Sequence, residues 1–515
     1  MSKRTWKEDK AKSRIATRLA EVSNVEIKDY VRDTELISLG TNVAYRVDGV
    51  HLYVDISNIK ELLETTVIDG ERSHKRALRF LNNHYRAVRN ILQSVEAIQV
   101  DFHNQRLHAV FAKPYSDEAA RVHKAVATAQ LIRDTLARIG ENEDDPLPAA
   151  KTRIGIDTGK ALAVNNGRRR GREPLFLGNP ANQAAKRAGY DLNVEGIFIT
   201  NAARAAVGWG KAINDYTSAL NETQIAESQR EADLSITVDR VVKDWEKDLQ
   251  DNPIGKFEFT RHTPPYSDLD LEVLTPKNSR RQEATSIYAD IDNFTKYVEE
   301  RIDDDDDAID VIKTLHVLRS ELDAVLYEDF AGKKIRFIGD CIHGILIEGT
   351  SATTDNAETA KNAMLCAAAM RSSFEVALSE LKAEGVDVGS LGLAIGLEHA
   401  FIAVTRLGVK SEMIRCCISR SVLDSEAEQK RCSGHQTAIG PGLYAHAPKA
   451  FRDLFETDRR RSNFDYAAAI EALEPKEESK GSTNSSSLLK PATAAAAGFS
   501  FKAAAEPSRT LAGFS

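Results

Sequence analysis

At 515 residues, with 42% apolar and 28% charged side chains, the chain has the make-up of a globular protein of about two to four domains rather than a disordered or fibrous one. A formal net charge of −8 argues against a general nucleic-acid-binding role, which calls for a basic face. No run approaches about 18 uninterrupted apolar residues and the opening "MSKRTWKEDKAKSR" lacks an apolar signal core, so a soluble, cytoplasmic protein without a membrane partner is expected.

The elements repeat. After an N-terminal extension, 1–44, a β-branched and aromatic run "LYVDISNI" (52–59) ends on Asp55. A helical pattern follows, with Ala77, Phe80, Leu81, Tyr85, Val88, Ile91 and Leu92 three or four apart. Two short strands then meet at the turn "HNQR", a helix is expected over 117–139, and a strand "TRIGIDTG" (152–159) closes on glycine. The stretch 201–280 reads as a polar helical linker containing "RHTPPYSD". The same order then returns: "IYADIDNF" (287–294); a helix carrying Ile309, Ile312, Leu315, Leu318, Leu322 and Val325; the turn "IGDC"; a helix over 356–381; and the strand "LGLAIGLEHA" (391–400). Asp55 and Asp290 stand 235 residues apart, and so do Gln105 and Asp340, a register that chance similarity rarely keeps.

Strand, helix, hairpin, helix, strand is the order of a ferredoxin-like palm, so the expected class is α+β. Two such palms in tandem, 45–200 and 281–450, would pack as an internal pseudo-heterodimer, followed by an extension, 451–515. From about Pro475 that extension, rich in Ser, Ala, Lys and Pro and twice containing "GFS", is too poor in apolar residues to order itself. The run of five aspartates at 303–307 reads as a solvated loop, the arginines 168–170 and 172 as a charged hairpin tip, and His103, His108 and His343 as sheet residues. The five cysteines (341, 366, 416, 417, 432) form neither a disulfide framework nor a CxxC site, so free thiols in a reducing compartment are expected.

In the second copy Asp290 ends a strand and Asp340, after Gly339, sits on the neighbouring hairpin turn. Carboxylates at adjacent strand ends suit hard divalent cations, with the backbone carbonyl of Ile291 as a further ligand. Two such cations can drive in-line displacement at a phosphate. Asn293, Phe294 and Thr295, at a helix start, offer backbone N–H groups to phosphates. In the first copy the second aspartate has become Gln105, a poor ligand for Mg²⁺ or Mn²⁺.

"YADIDNFT" and "RFIGDCIHGIL" resemble the metal-binding half of class III nucleotidyl cyclases, and "RIGIDTGKALAVNNGRRRGREPLFLGNPANQAAKRA" (153–188) resembles the other half of that site. The resemblance, which covers roughly 45–440, implies that Asn182 and, four residues on, Lys186 stabilise the transition state, although the family has arginine at the latter position. Lysine keeps the charge and loses the planar fork. The second copy has Leu423 and Ala427 there, so one complete and one broken site are implied. The resemblance also places base recognition on Asp101 and Leu175. An ionised Asp101 only accepts hydrogen bonds, which favours uracil, cytosine or guanine over adenine. "GREPLFLGNPANQAAK" and the tandem layout are most similar to the bacterial Pycsar antiphage cyclases, which implies cyclic UMP or cyclic CMP, two divalent cations (Mn²⁺ or Mg²⁺), and a separate effector that reads the product. UTP is the expected substrate; cytidylate or guanylate cyclase, or an inactive nucleotide-binding module, are the alternatives. The chain is expected as a monomer with an internal pseudo-dimer, or a dimer of these.

Overall fold

A computed structural model describes residues 4–32, 34–36, 39–64, 70–139, 147–166, 173–409 and 412–474. The arginines 168–170 and 172 and the segment from residue 475, including both "GFS" repeats, lie outside the described residues.

The described residues form two sheets. The first comprises β1 (Glu26–Asp29), β2 (Val43–Ile56), β3 (Ile98–His103), β4 (Arg106–Phe111), β5 (Thr152–Asn166), β6 (Glu173–Leu177) and β7 (Gly196–Ile199). Its order is β3-β4-β2-β5-β6, with β1 also beside β2 and β7 beside β5. The second comprises β8 (Phe259–Thr260), β9 (Ser279–Asp292), β10 (Lys333–Ile338), β11 (Cys341–Leu346), β12 (Gly392–Leu407), β13 (Ile414–Ile418), β14 (Gln436–Ile439) and β15 (Arg460–Ser462). Its order, β10-β11-β9-β12-β14-β15 with β13 beside β12 and β8 beside β9, repeats the first and adds one edge strand.

The repeat holds at single residues. Tyr53 pairs with Gly155 across β2 and β5, and Tyr288 pairs with Gly396 across β9 and β12. Tyr53 stacks on His108 at 4.1 Å, and Tyr288 on His343 at 4.3 Å. Both histidines are buried, which holds His343 down at about 3 and His108 well below the ordinary imidazole range, so both are neutral sheet residues.

Alternation along each central strand decides which face is covered. Val50, Leu52 and Val54 pack under the helices Glu71–Ser94 and Glu118–Arg138, and Ile287, Ala289 and Ile291 under Asp305–Ala324 and Asn356–Ala383. The intervening residues lie on the opposite face of each sheet. β5 and β12 run seven residues beyond the strands expected at 152–159 and 391–400. The reason is reciprocal burial: Leu162 and Val164 of β5 join the core of the second sheet, while Ala403 and Leu407 of β12 join that of the first. Burial of such side chains is worth about 1.5–3 kcal/mol each, enough to keep the strands extended past their glycines.

The segment expected as a linker, 201–280, divides between the units: Tyr266, Leu269, Leu271 and Leu274 pack with the second, while the earlier part packs onto the first unit. Val241 and Trp245, on the helix Val238–Asp251, and Phe257 are buried in its core. The N-terminal helix Glu8–Glu21 lies on the second unit, with Ala11 and Ile15 in its core and Arg14 bridging Glu321 at 2.5 Å and Asp329 at 3.0 Å. All five cysteines are free, four of them buried and Cys432 partly so. Among the described residues no helix is long and apolar enough to cross a membrane.

Candidate active site

β9 brings Tyr288, Asp290 and Asp292 to the face opposite its helices, because its odd-numbered neighbours occupy the core. Asp290 pairs with Ala394 of β12 and accepts a hydrogen bond from Gln429 Nε2 at 3.2 Å. β10 and β11 join through a two-residue turn, Gly339–Asp340, in which Gly339 has φ 59°, a conformation that glycine adopts without cost. Antiparallel pairing of Ile342 with Ala289 sets Asp340 at the end of β9, where the backbone N–H of Ile291 donates to its carboxylate. The buried Arg319 donates to the Gly339 carbonyl and holds the turn from beneath.

Burial and, second, the neighbouring Asp292 push the Asp290 carboxyl up to about 6. Burial and the charge of Asp290 push Asp340 well above the usual carboxylate range. Two carboxylates crowded in this way suit a hard divalent cation, whose charge removes the repulsion. Among the described residues no group of three or more His, Cys, Asp or Glu converges as a metal site, so further ligands would come from backbone, water and substrate oxygens. A pH dependence follows. The folded state keeps the Asp290 proton up to about 6 and the unfolded chain loses it near 3.8, so metal-free wild type should lose stability from pH 5 to pH 7 relative to Asp290→Asn. Thermal unfolding at both pH values, with and without Mn²⁺, checks this; the cation should erase the difference.

Asn182 and Lys186 lie one turn apart on the helix Asn179–Gly189, Asn182 half-buried and Lys186 exposed. The helix sits on β5 so closely that a Cβ at Gly155 would meet the Ala184 carbonyl at 2.0 Å. It also packs beside the helix Phe294–Glu299, which starts directly after β9. The helix that carries Asn182 and Lys186 in one half thus neighbours the short helix that follows the carboxylate strand of the other. Asn293 has φ 64° and its side chain donates to the Ser390 carbonyl at 3.1 Å, Phe294 is buried in the core, and Thr295 is half-buried. The Phe294 side chain is therefore committed to packing, which leaves its backbone for any ligand. Leu175, on β6, is partly buried against the second unit's core. Asp101 forms an ion pair with Arg336 of the other half. Two clefts, of about 600 Å³ beside Glu26, Asp306 and Asp310 and about 660 Å³ beside Arg72, Lys75 and Phe257, contain none of these residues.

The pseudo-equivalent position is closed by charge. Asp55, 1% exposed, receives Arg106 at 2.8 Å, and Arg106 also binds Glu426 of the second unit at 2.7 Å. Burial opposes ionisation of Glu426, but Arg106 and Lys430 outweigh it and hold the carboxyl well below its usual range. Gln105, facing this cluster in the register where the other copy has Asp340, is buried. An arginine thus supplies internally the positive charge that a metal would bring. Arg106→Ala should cost about 3 kcal/mol in urea unfolding, since it strands the buried Asp55 carboxylate, while Glu426 keeps its ion pair with Lys430. Arg106, Glu426, Gln429 and Arg336 were not singled out from the sequence; the 235-residue offset, which superposes Asp101 on Arg336, was the signal that could have found the last.

No family model matches the chain. It is 51% identical over 477 residues, 92% of each chain, to a curated protein named uridylate cyclase from Pseudomonas aeruginosa. It is 39% identical over 429 residues, 80% of this chain and 81% of the other, to another of that name from a Rhizobium species. A crystal structure of a class III adenylyl cyclase-like ATP-binding protein from Pseudomonas aeruginosa superposes with a TM-score of 0.88 at 51% identity, covering 92% of this chain and 100% of that one.

Proposed function

The chain belongs to the uridylate cyclases and has a class III cyclase-like fold; from that premise we propose that it converts UTP to 3′,5′-cyclic UMP and pyrophosphate at one site shared by two cyclase units. The units are 45–200 and 281–450, a pseudo-heterodimer within one chain, joined through 201–280. The ribose 3′-oxygen forms a bond to the α-phosphorus, the bond from that phosphorus to the β-phosphate oxygen breaks, and the hydroxyl proton leaves to solvent. Asp290, Asp340 and the Ile291 carbonyl would hold divalent cations, Mn²⁺ or Mg²⁺, which when bound would supply positive charge to the phosphoryl transfer. Asn182 orients the ribose, and the Lys186 ammonium offsets charge that grows on the phosphoryl oxygens. Backbone N–H groups of Phe294 and Thr295 face the phosphates, joined by that of Asn293 once it leaves the Asp292 carboxylate to which it donates at 3.0 Å. Asp101 accepts the uracil N3–H, and Leu175 lines the base.

The observation that carries this reading is the seating of Asp340 beside Asp290, where burial and mutual repulsion make the pair receptive to a divalent cation. The test is incubation of purified protein with each of the four labelled nucleoside triphosphates and Mn²⁺. Cyclic UMP and pyrophosphate are expected from UTP; pyrophosphate from none of the four would defeat it. Similarity to the Pycsar cyclases supports a cytoplasmic role in antiphage signalling through a separate cyclic-nucleotide effector.

A further inference from the structure

Asp101 and Arg336 occupy one position in two copies of the same unit, carry opposite charges, and meet. Arg336 Nη2 donates to Asp101 Oδ1, and Arg336 Nη1 to the Phe102 carbonyl. Neither side chain is fully buried: Asp101 is 25% and Arg336 11% exposed. Phe102 and Phe337, the residues that follow them, point into the helix-covered cores. By alternation Asp101 and Arg336 face the space between the halves, on the side to which Asp290 also points. Asp340 lies four residues beyond Arg336, in the turn of the same hairpin, so the two are at most roughly 13 Å apart.

We infer that Arg336, contributed by the metal-binding half, determines base selection together with Asp101. The inference rests on the reading that Asp101 faces the base. The pair sets an acceptor beside a donor. Uracil presents N3–H flanked by two carbonyls, so the carboxylate takes the N–H while the guanidinium meets a carbonyl. With the carboxylate held opposite N3, cytosine presents a bare lone pair to the carboxylate and an amino group to the guanidinium, which mismatches both partners. Guanine shares the N–H and carbonyl pattern, so the pair separates uracil and guanine from cytosine and adenine.

The experiment measures kcat/KM for UTP and CTP, and equilibrium binding of both, in wild type, Arg336→Gln, and the charge swap Asp101→Arg with Arg336→Asp. Arg336→Gln should lower the UTP-to-CTP ratio by about 10-fold or more, mainly through KM for UTP. The swap should regain the unfolding midpoint lost in Arg336→Gln, because the ion pair is rebuilt, but not the preference for UTP, because donor and acceptor have changed places. An unchanged ratio in Arg336→Gln, or a swap that restores the preference, would show a mere bridge between the halves and overturn the inference. Failure of the Asp101 reading looks different: Asp101→Asn would then leave the ratio at the wild-type value. Equilibrium binding reads the ratio even in a variant that has lost turnover.

Discussion

Asp340→Ala should abolish cyclic UMP formation, by at least about 10³-fold, while Gln105→Ala, its pseudo-symmetric counterpart, changes turnover less than about 2-fold. Loss of groups that merely support a metal ligand already costs about 10–100-fold, and Asp340 is proposed as a ligand itself. The loss should not come from unfolding. In the metal-free protein Asp340 is pushed well above its ordinary range by burial and by Asp290, so removing it relieves repulsion. Unfolding midpoints of wild type and Asp340→Ala measured without metal should therefore match, or favour the variant, while Mn²⁺ raises only the wild type. Activity in Asp340→Ala together with inactivity in Gln105→Ala would transfer the chemistry to the other pseudo-site.

Asn182→Ala and Lys186→Ala should each lower kcat by about 10²–10³-fold with little change in KM, because interactions made only as charge develops act on kcat. Lys186→Arg restores the guanidinium found in related cyclases and should keep at least a tenth of the activity, since the charge is retained. Lys186 is exposed and forms no ion pair among the described residues, so its loss should leave stability within about 0.5 kcal/mol. Steady-state kinetics with UTP, read beside urea unfolding of each variant, separate these effects. A Lys186→Ala enzyme with normal kcat would remove that residue from the transition state.

The two equivalent positions differ in how their carboxylates are met. One keeps both carboxylates and carries an electrostatic repulsion that a cation would relieve. The other replaces Asp340 by Gln105 and surrounds the surviving Asp55 with Arg106, itself held by Glu426 from the opposite half. The second arrangement joins the two units whether or not a metal is present, and its cost falls on stability rather than on turnover if it is broken.

Much of this was written in the chain itself. Alternating apolar residues, helical spacing and turn chemistry are local, so the element order within each copy and the hairpin turns at Asn104–Gln105 and Gly339–Asp340 were legible from residues within a few positions of one another. The 235-residue register added the equivalence of Tyr53 with Tyr288 and His108 with His343. Tertiary structure decided what depends on partners distant in sequence. It extended β5 and β12 into each other's cores, folded the two ends of 201–280 onto the first and second units in turn, laid the N-terminal helix on the second, and turned Asp101 and Asp55 from lone carboxylates into ion-paired ones. The physical reason is common to all four: a side chain's burial and its counter-charge are supplied by residues dozens to hundreds of positions away, and no local pattern records which of them will arrive.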